Sequence, residues 1–312
     1  MECTDRHGRY FLRQISRHIL LYSEMITAAA ILHGKREFLL AFDAVECPLA
    51  LQLGGSDPAE LAAAAKYGQA AGYGEINLNI GCPSDRVKSG RFGACLMAEP
   101  ELVARCVRAM ASAVDLPVTV KCRIGIDGYD SFAHLRGFAE KMAEAGTVSL
   151  AVHSRIAILR GLSPKQNREI PPLDYDRVYR LKEELPALEI ILNGGVRSLD
   201  EAAGHLRRVD GVMIGRAAFA DPYILAGADA RLFADPHPPP SRHDIARKML
   251  PYMERALVGG ARLNHITRHM LGLFHAQPGA RAWRRYLSEH VPRAGAGPEI
   301  VEQALERVPE AA

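Results

Sequence analysis

Short β-type runs alternate with longer helical patterns along most of this 312-residue chain, and that alternation restricts it to parallel-sheet architectures. The runs fall at residues 20–26, 48–54, 75–80, 117–124, 148–153, 189–193 and 211–215. Between them lie PAELAAAAKYGQAAG, PELVARCVRAMASAV, FAHLRGFAEKMAEAG, DYDRVYRLKEEL and SLDEAAGHLRR, each with apolar residues at helical spacing. Asp57-Pro58 and Ser198-Leu199-Asp200-Glu201 read as helix starts, a capping side chain followed by proline or a carboxylate in the first turn. Gly72 and Gly146 read as helix stops. Seven or eight such units over about 240 residues fit a (β/α)8 TIM barrel, an α/β fold, better than an open doubly wound sheet. The sequence supplies seven strands, because the helical pattern DRHGRYFLRQISR already begins near residue 5. The first barrel strand is therefore expected to be missing from this chain, which would leave an open sheet edge.

The pattern changes near residue 235. DPHPPPS (235–241) is a stiff, proline-rich connector. Beyond it, HDIARKMLPYMERAL, RLNHITRHMLGLF and ARAWRRYLSEHV read as amphipathic helices of a small C-terminal helical bundle. Residues 1–240 hold 28 Lys and Arg against 29 Asp and Glu, whereas 241–293 hold 10 against 3 and five of the twelve histidines. A basic helical segment on a neutral body points to a polyanionic partner, with plain solubility as the alternative. Residues 294–312 swing back to a net charge of −3 and read as a flexible, solvated tail. The six cysteines form no C-x-x-C pair and no metal-ligand spacing with histidine, which argues against disulfides and a bound metal. There is no secretory h-region and no apolar run of membrane-span length. The expectation is a protein of the reducing cytoplasm with no membrane partner and no required oligomer.

In a barrel, function gathers where strands end and loops begin. The strand ends here are polar: Gln52, then Asn77 and Asn79 leading to Cys82, Lys121 with Arg123, His153 with Arg155, Asn193-Gly194-Gly195, and Gly215-Arg216. A lysine and a histidine at matching ends of neighbouring strands are costly to bury without a ligand. The last two groups follow the final two strands, where barrels usually hold phosphate: glycines let backbone N–H groups approach an anion and an arginine adds a forked donor. Together they suggest a phosphorylated cofactor, against the plainer reading that they are tight turns. Lys121 would point into the barrel mouth, where a cation stabilises the electron-rich N1–O2 edge of a reduced flavin; a structural salt bridge is the rival reading. Gln52 and His153 would hydrogen-bond the ring or its substituents, or serve only as structure. Cys82 stands between Gly81 and Pro83 in a loop mouth, with Gly90 and Gly93 permitting the loop to fold over a ligand. A free thiol titrates near ~8.5, so a cysteine in such a place can serve as a general acid at neutral pH. Cys47, Cys95, Cys106 and Cys122 read as inert packing.

At these residues the sequence resembles the tRNA-dihydrouridine synthases, and closely their A subgroup. NLNIGCPSDRVKSGRFGACLM (77–97) carries most of the likeness. LQLGGSDP (51–58), VTVKCRIGID (118–127), RGLSPKQNREIPPLDYDRVYRLK (160–182), NGGV, DGVMIGRAAFADPY (210–223) and LNHITRHMLGLFHAQPGARAWRRYLS (263–288) support it. The resemblance implies an FMN enzyme that reduces the C5–C6 bond of a D-loop uridine, at position 20 or 20a, with NADPH as reductant. It implies hydride delivery from flavin N5 to C6 and protonation of C5 by Cys82. Gln52, Lys121, His153, Asn193, Gly194, Gly195, Gly215 and Arg216 would hold FMN. Asn79, Arg86, Lys88 and Arg155 would approach the target nucleotide, extruded from the tRNA fold, and the basic helices would grip the tRNA through its phosphates. On this reading residues 1–235 form the catalytic barrel, 241–293 the helical tRNA-binding domain and 294–312 the tail.

The chain departs from the family pattern in places. Family members begin with a strand ending in Pro-Met, followed by a segment like MDWTDRH; here the chain opens at MECTDRHGRY, with Glu2-Cys3 for Asp-Trp and Gly8 for a usual cysteine. Ile156 and Ile158 stand where the subgroup carries Lys and Trp, and Cys122 replaces a common histidine. Two rival readings follow: an FMN barrel acting on a free pyrimidine, and a tRNA-binding relative whose barrel has lost its cofactor. The proline connector and basic helices speak against the first, and the presence of Cys82, Lys121, His153, Asn193 and Arg216 speaks against the second.

Overall fold

The computed structural model describes residues 3–84, 87, 90–293 and 295–310. In chain order its first elements are α1 (Arg6–Arg13), β1 (Leu21–Tyr22), β2 (Ile26–Thr27), α2 (Ala28–His33), α3 (Arg36–Leu40), β3 (Leu49–Gly54), α4 (Pro58–Ala71) and β4 (Glu75–Asn79). There follow α5 (Pro100–Ala111), β5 (Val118–Arg123), α6 (Phe132–Glu144), β6 (Ser149–His153), α7 (Tyr175–Glu184), β7 (Glu189–Asn193), α8 (Leu199–His205) and β8 (Gly211–Met213). The last helices are α9 (Arg216–Ala220), α10 (Ala228–Leu232), α11 (Arg242–Val258), α12 (Leu263–Thr267), α13 (Ala280–His290) and α14 (Glu299–Leu305). The chain divides into two compact units, one of residues 20–42 and 47–215, the other of residues 1–19, 43–46 and 216–312. No helix among the described residues is long and apolar enough to cross a membrane.

The first unit is built on a parallel sheet in the order β1-β3-β4-β5-β6-β7-β8, with β2 also pairing to β3. All seven expected strands are present. The run at 20–26 is split into β1 and β2, which pair in turn with the start and the end of β3. No pairing joins β1 to β8 among the described residues, so the array is TIM-barrel-like with an open side. Side chains alternate between two faces along each strand. One face carries Leu51, Leu53, Ile76, Leu78, Val120, Leu150, Val152, Ile190 and Leu192, all buried without exposure. The other face is polar and positions the site. Local chemistry sets the helix ends: Asp57 caps α4 by accepting from Ala59 and Glu60 N–H, and Gly72 ends it with φ 97°. At α8 the Ser198 hydroxyl accepts from Glu201 N–H at 3.1 Å, while the Glu201 carboxylate accepts from Arg197 N–H at 2.8 Å.

The second unit gathers the N-terminal helix and everything from Arg216 onward, whereas the sequence places the boundary at the 235–241 connector. Long-range polar contacts explain why the 43–46 turn belongs here. Arg9 Nε donates to Glu46 Oε2 at 2.7 Å, and Arg13 donates to the carbonyls of Glu46, Ser16 and Ile19 at 2.9, 3.0 and 2.8 Å. Trp283 of α13 is fully buried, donates Nε1–H to Met270 O at 3.1 Å and meets Phe274 edge-on at 5.0 Å between ring centroids. RLNHITRHMLGLF, expected as one helix, is helical only over α12 and then turns; Gly272 lies against the Ala220 carbonyl and 2.9 Å, measured from an added Cβ, from Pro222 Cδ. Residues 294–312, expected as a flexible tail, contain α14. Its negative charge hides an apolar stripe, Ile300, Val301, Ala304 and Leu305, which is buried.

Candidate active site

Cys82 follows β4, and its loop is held from both sides. Asn79 Oδ1 accepts from the Gly81 and Cys82 N–H groups at 3.1 and 2.9 Å, and Asn79 Nδ2 donates to Gln52 Oε1 at 2.8 Å. The Asn79 amide is thus largely spent on the loop, with one N–H left for a substrate. The Cys82 carbonyl accepts from Ala94 N–H at 3.0 Å. Gly93 adopts φ 74°, and a Cβ there would press on Val87 and come within 2.7 Å of the Cys82 carbonyl oxygen. The thiol is half-buried, with Sγ 3.6 Å from Ser84 Oγ. Arg86 and Lys88, expected in the same loop, lie outside the described residues.

Sheet register brings the cations beside it. Asn79 pairs with Lys121, Arg123 with His153, and His153 with Asn193. Lys121 Nζ makes no hydrogen bond or ion pair among the described residues. Burial, followed by the nearby Arg123 charge, pushes its ammonium down to about 8. Arg123, only 4% exposed, is a residue that sequence reasoning left out of the site. It donates from Nε to Gly81 O at 3.1 Å and from Nη1 to Asn167 O at 2.9 Å and Ile156 O at 3.3 Å. Burial brings its guanidinium down to about 10. The alternation in VKCR was the available signal, since it puts Arg123 on the same face as Lys121. Asn167 is fully buried and organises the loop after β6, accepting from Ile158 N–H at 2.7 Å and donating to the Ile158 and Leu162 carbonyls at 2.9 and 3.1 Å. Arg155 donates to the Pro171 carbonyl of that same loop.

The glycine loop after β7 is sterically defined. Gly194 and Gly195 have φ of 111° and 78°. A Cβ on Gly195 would come within 2.6 Å of both Leu173 Cδ1 and the Tyr175 hydroxyl, and one on Gly194 would lie 3.3 Å from His153 Nε2. Tyr175 donates its hydroxyl to the Gly194 carbonyl at 2.8 Å, and Asn193 Nδ2 donates to Met213 O at 2.7 Å. Gly215 differs: a Cβ there meets no protein atom within 4 Å. Arg216 is exposed and opens α9 in the second unit. Of the cysteines expected to be packing, Cys106 and Cys122 are buried, and burial pushes their thiols up to about 11 and 12. Cys95 is half-buried, and Cys47 is exposed in the loop before β3, off the apolar face.

A parallel βα sheet with a cysteine, a lysine without an ion pair among the described residues and a glycine loop at the carboxyl ends of its strands matches the TIM-barrel class of enzymes, which carry their chemistry at that edge. Solved structures agree on the fold alone. Histamine dehydrogenase from Rhizobium sp. 4-9 matches with a TM-score of 0.51 at 14% identity, over 72% of this chain and 43% of that one. A 2-naphthoyl-CoA reductase matches at 0.52 and 13%, over 72% and 47%. The family model for dihydrouridine synthase (Dus) matches residues 1–309. The tRNA-dihydrouridine(20/20a) synthase of Shewanella oneidensis is 57% identical over 308 residues, 99% of this chain and 92% of that protein. Those of Vibrio cholerae and Synechocystis sp. are each 56% identical, over 99% and 98% of this chain and 94% and 92% of theirs. The chain belongs to the dihydrouridine synthase family.

Proposed function

We propose that this protein is a flavin-dependent tRNA-dihydrouridine synthase that reduces the C5–C6 bond of uridine 20 or 20a in the D-loop. The observation that carries the reading is a loop-held Cys82 beside Lys121, which no carboxylate neutralises among the described residues, at one edge of the sheet. FMN fits the residues present on two counts: Lys121 has no anionic partner among the described residues, and beside the left-handed Gly194-Gly195 turn the space at the Gly215 Cβ position is open. FMN, re-reduced by NADPH, would supply the hydride for C6.

The chain's own residues do the rest. Lys121 would stabilise negative charge on the reduced flavin, Gln52 and His153 would orient its ring, and Asn193, Gly194, Gly195 and Gly215 would receive the phosphate end, the role also expected of Arg216. Cys82 gives its thiol proton to C5. The thiolate left behind lies within electrostatic reach of Lys121 and Arg123, and solvent returns the proton. Asn79 and Arg155 would approach the nucleotide, the role also expected of Arg86 and Lys88 outside the described residues, and the basic helices from 241 to 293 would hold the tRNA. A free pyrimidine would have no use for those helices.

The test is the visible flavin band of the purified chain with added FMN, followed by dihydrouridine formation on unmodified tRNA with NADPH. Cys82→Ala should keep the band and lose at least about a hundredfold in product formation, the usual weight of a general acid. Unchanged turnover in Cys82→Ala would sink the proton-donor role, and no flavin band in the wild type would sink the cofactor assignment.

A further inference from the structure

The polar face of the sheet carries an uninterrupted line of hydrogen bonds that begins at the Cys82 loop and ends at a carboxylate. Cys82 N–H donates to Asn79 Oδ1 at 2.9 Å, Asn79 Nδ2 to Gln52 Oε1 at 2.8 Å, and Gln52 Nε2 to Asn77 Oδ1 at 2.9 Å. Asn77 Nδ2 then donates to Thr119 Oγ1 at 2.8 Å, and the Thr119 hydroxyl to Glu75 Oε1 at 2.5 Å. Every donor points the same way. Glu75 and Asn79 are four residues apart on β4, so the line spans roughly 13 Å at ~3.3 Å per residue. Asn77, Thr119 and Asn79 are buried, and bulk water does not substitute for a broken link there.

The direction of this line has a cause. Carboxamides and hydroxyls carry both donors and acceptors, so Asn79, Gln52, Asn77 and Thr119 could all reverse and keep the same number of bonds. Glu75 Oε1 accepts from two hydroxyls, Thr119 at 2.5 Å and Tyr22 at 2.9 Å, so the far end is fixed as an acceptor by geometry, even though burial raises the Glu75 carboxyl above its ordinary range. At the near end two backbone N–H groups, of Gly81 and Cys82, need an acceptor. A reversed Asn79 would present its NH2 to them and open the loop. Within the line Gln52 uses one N–H and one lone pair, and its other donor and acceptor take the orientation the line dictates.

We propose that Glu75, acting through Thr119 and Asn77, is a remote positioning residue that sets the polarity of Gln52 and Asn79 and thereby holds the Cys82 loop in its working geometry. The catalytic part of this inference rests on the function proposed above; the structural part does not.

The experiment uses the full chain and two variants that cut the line far from Cys82, Thr119→Val, close to isosteric, and Glu75→Leu, which removes the terminal acceptor, with Thr119→Ser as the conservative control. The first readout needs no flavin: amide hydrogen exchange of the peptide spanning 79–84. About tenfold faster exchange is expected in Thr119→Val and Glu75→Leu, with β7 unaffected and Thr119→Ser like the wild type, because a lost buried link releases the loop locally. The second readout separates the half-reactions of the FMN-loaded protein. Flavin reduction by NADPH, which feels the line only through Gln52, should change less than reoxidation by tRNA, which should slow about tenfold or more, since only that step needs a placed thiol. Unchanged exchange at 79–84, or exchange raised equally across the sheet, overturns the proposal. If wild-type protein takes up no FMN, the functional reading fails, and the exchange result still decides the line.

Discussion

Lys121 is a charge that no carboxylate neutralises among the described residues. Burial, with Arg123 alongside, brings its ammonium from the ordinary 10.5 down to about 8, so the flavin-free protein carries a destabilising cation at neutral pH. The sign follows from proton counting. Between about 8 and 10.5 the unfolded chain binds a proton that the folded chain does not, so stability rises with pH across that window and is lost as pH falls through about 8. Lys121→Met should flatten the rise in urea midpoints measured from pH 8 to 10.5, and should make the flavin-free protein more stable at pH 7. An identical pH profile in the variant would show that the ammonium is solvated. The same substitution should slow flavin reduction by NADPH, because charge developing at the N1–O2 edge loses its counter-ion.

At the scale of elements, the two glycine turns that close the presumptive phosphate end are not equivalent, and substitution separates them. Gly195→Ala must strain a φ of 78° and press on Leu173 and Tyr175, so it should cost about 1–3 kcal/mol of stability without any ligand. Gly215→Ala meets no protein atom and should leave stability within about 0.5 kcal/mol. If Gly215 lines the cofactor cradle, its variant nevertheless binds FMN more weakly in a fluorescence titration; wild-type affinity would take Gly215 out of the site. The strands, the caps at Asp57 and Ser198, and the polar strand ends were legible because each depends on spacing of a few residues. Arg123 was not. Its role depends on carbonyls of Gly81, Ile156 and Asn167, segments brought together only by the fold. The Arg9–Glu46 contact escaped for the same reason, and α14 escaped because its charge masked its apolar stripe.

For the whole molecule, the charge asymmetry between residues 1–240 and 241–293 becomes a question of which cations remain free in the helical unit. Arg247 pairs with Glu310 at 2.8 Å, and Arg242 lies over the Tyr223 ring at 3.8 Å and donates to the Leu273 carbonyl. Arg281, Arg284 and Arg285 instead stand exposed on α13, opposite the buried Trp283 and Leu287, with no ion pair among the described residues. Exposed, uncommitted arginines spaced three and four apart present one basic stripe, and such a stripe suits consecutive phosphates of a folded RNA. Each phosphate contact contributes roughly 0.7–0.9 to the slope of log K against log salt. The triple variant Arg281→Ala, Arg284→Ala, Arg285→Ala should therefore weaken tRNA binding and lower that slope by about 2 to 3. Flavin content and reduction by NADPH should not change, because the substituted helix belongs to the other unit. A filter-binding series at several salt concentrations reads the slope directly. If the slope is unaltered while affinity falls, the arginines act through packing of α13, and the basic helices are not where the phosphates are held.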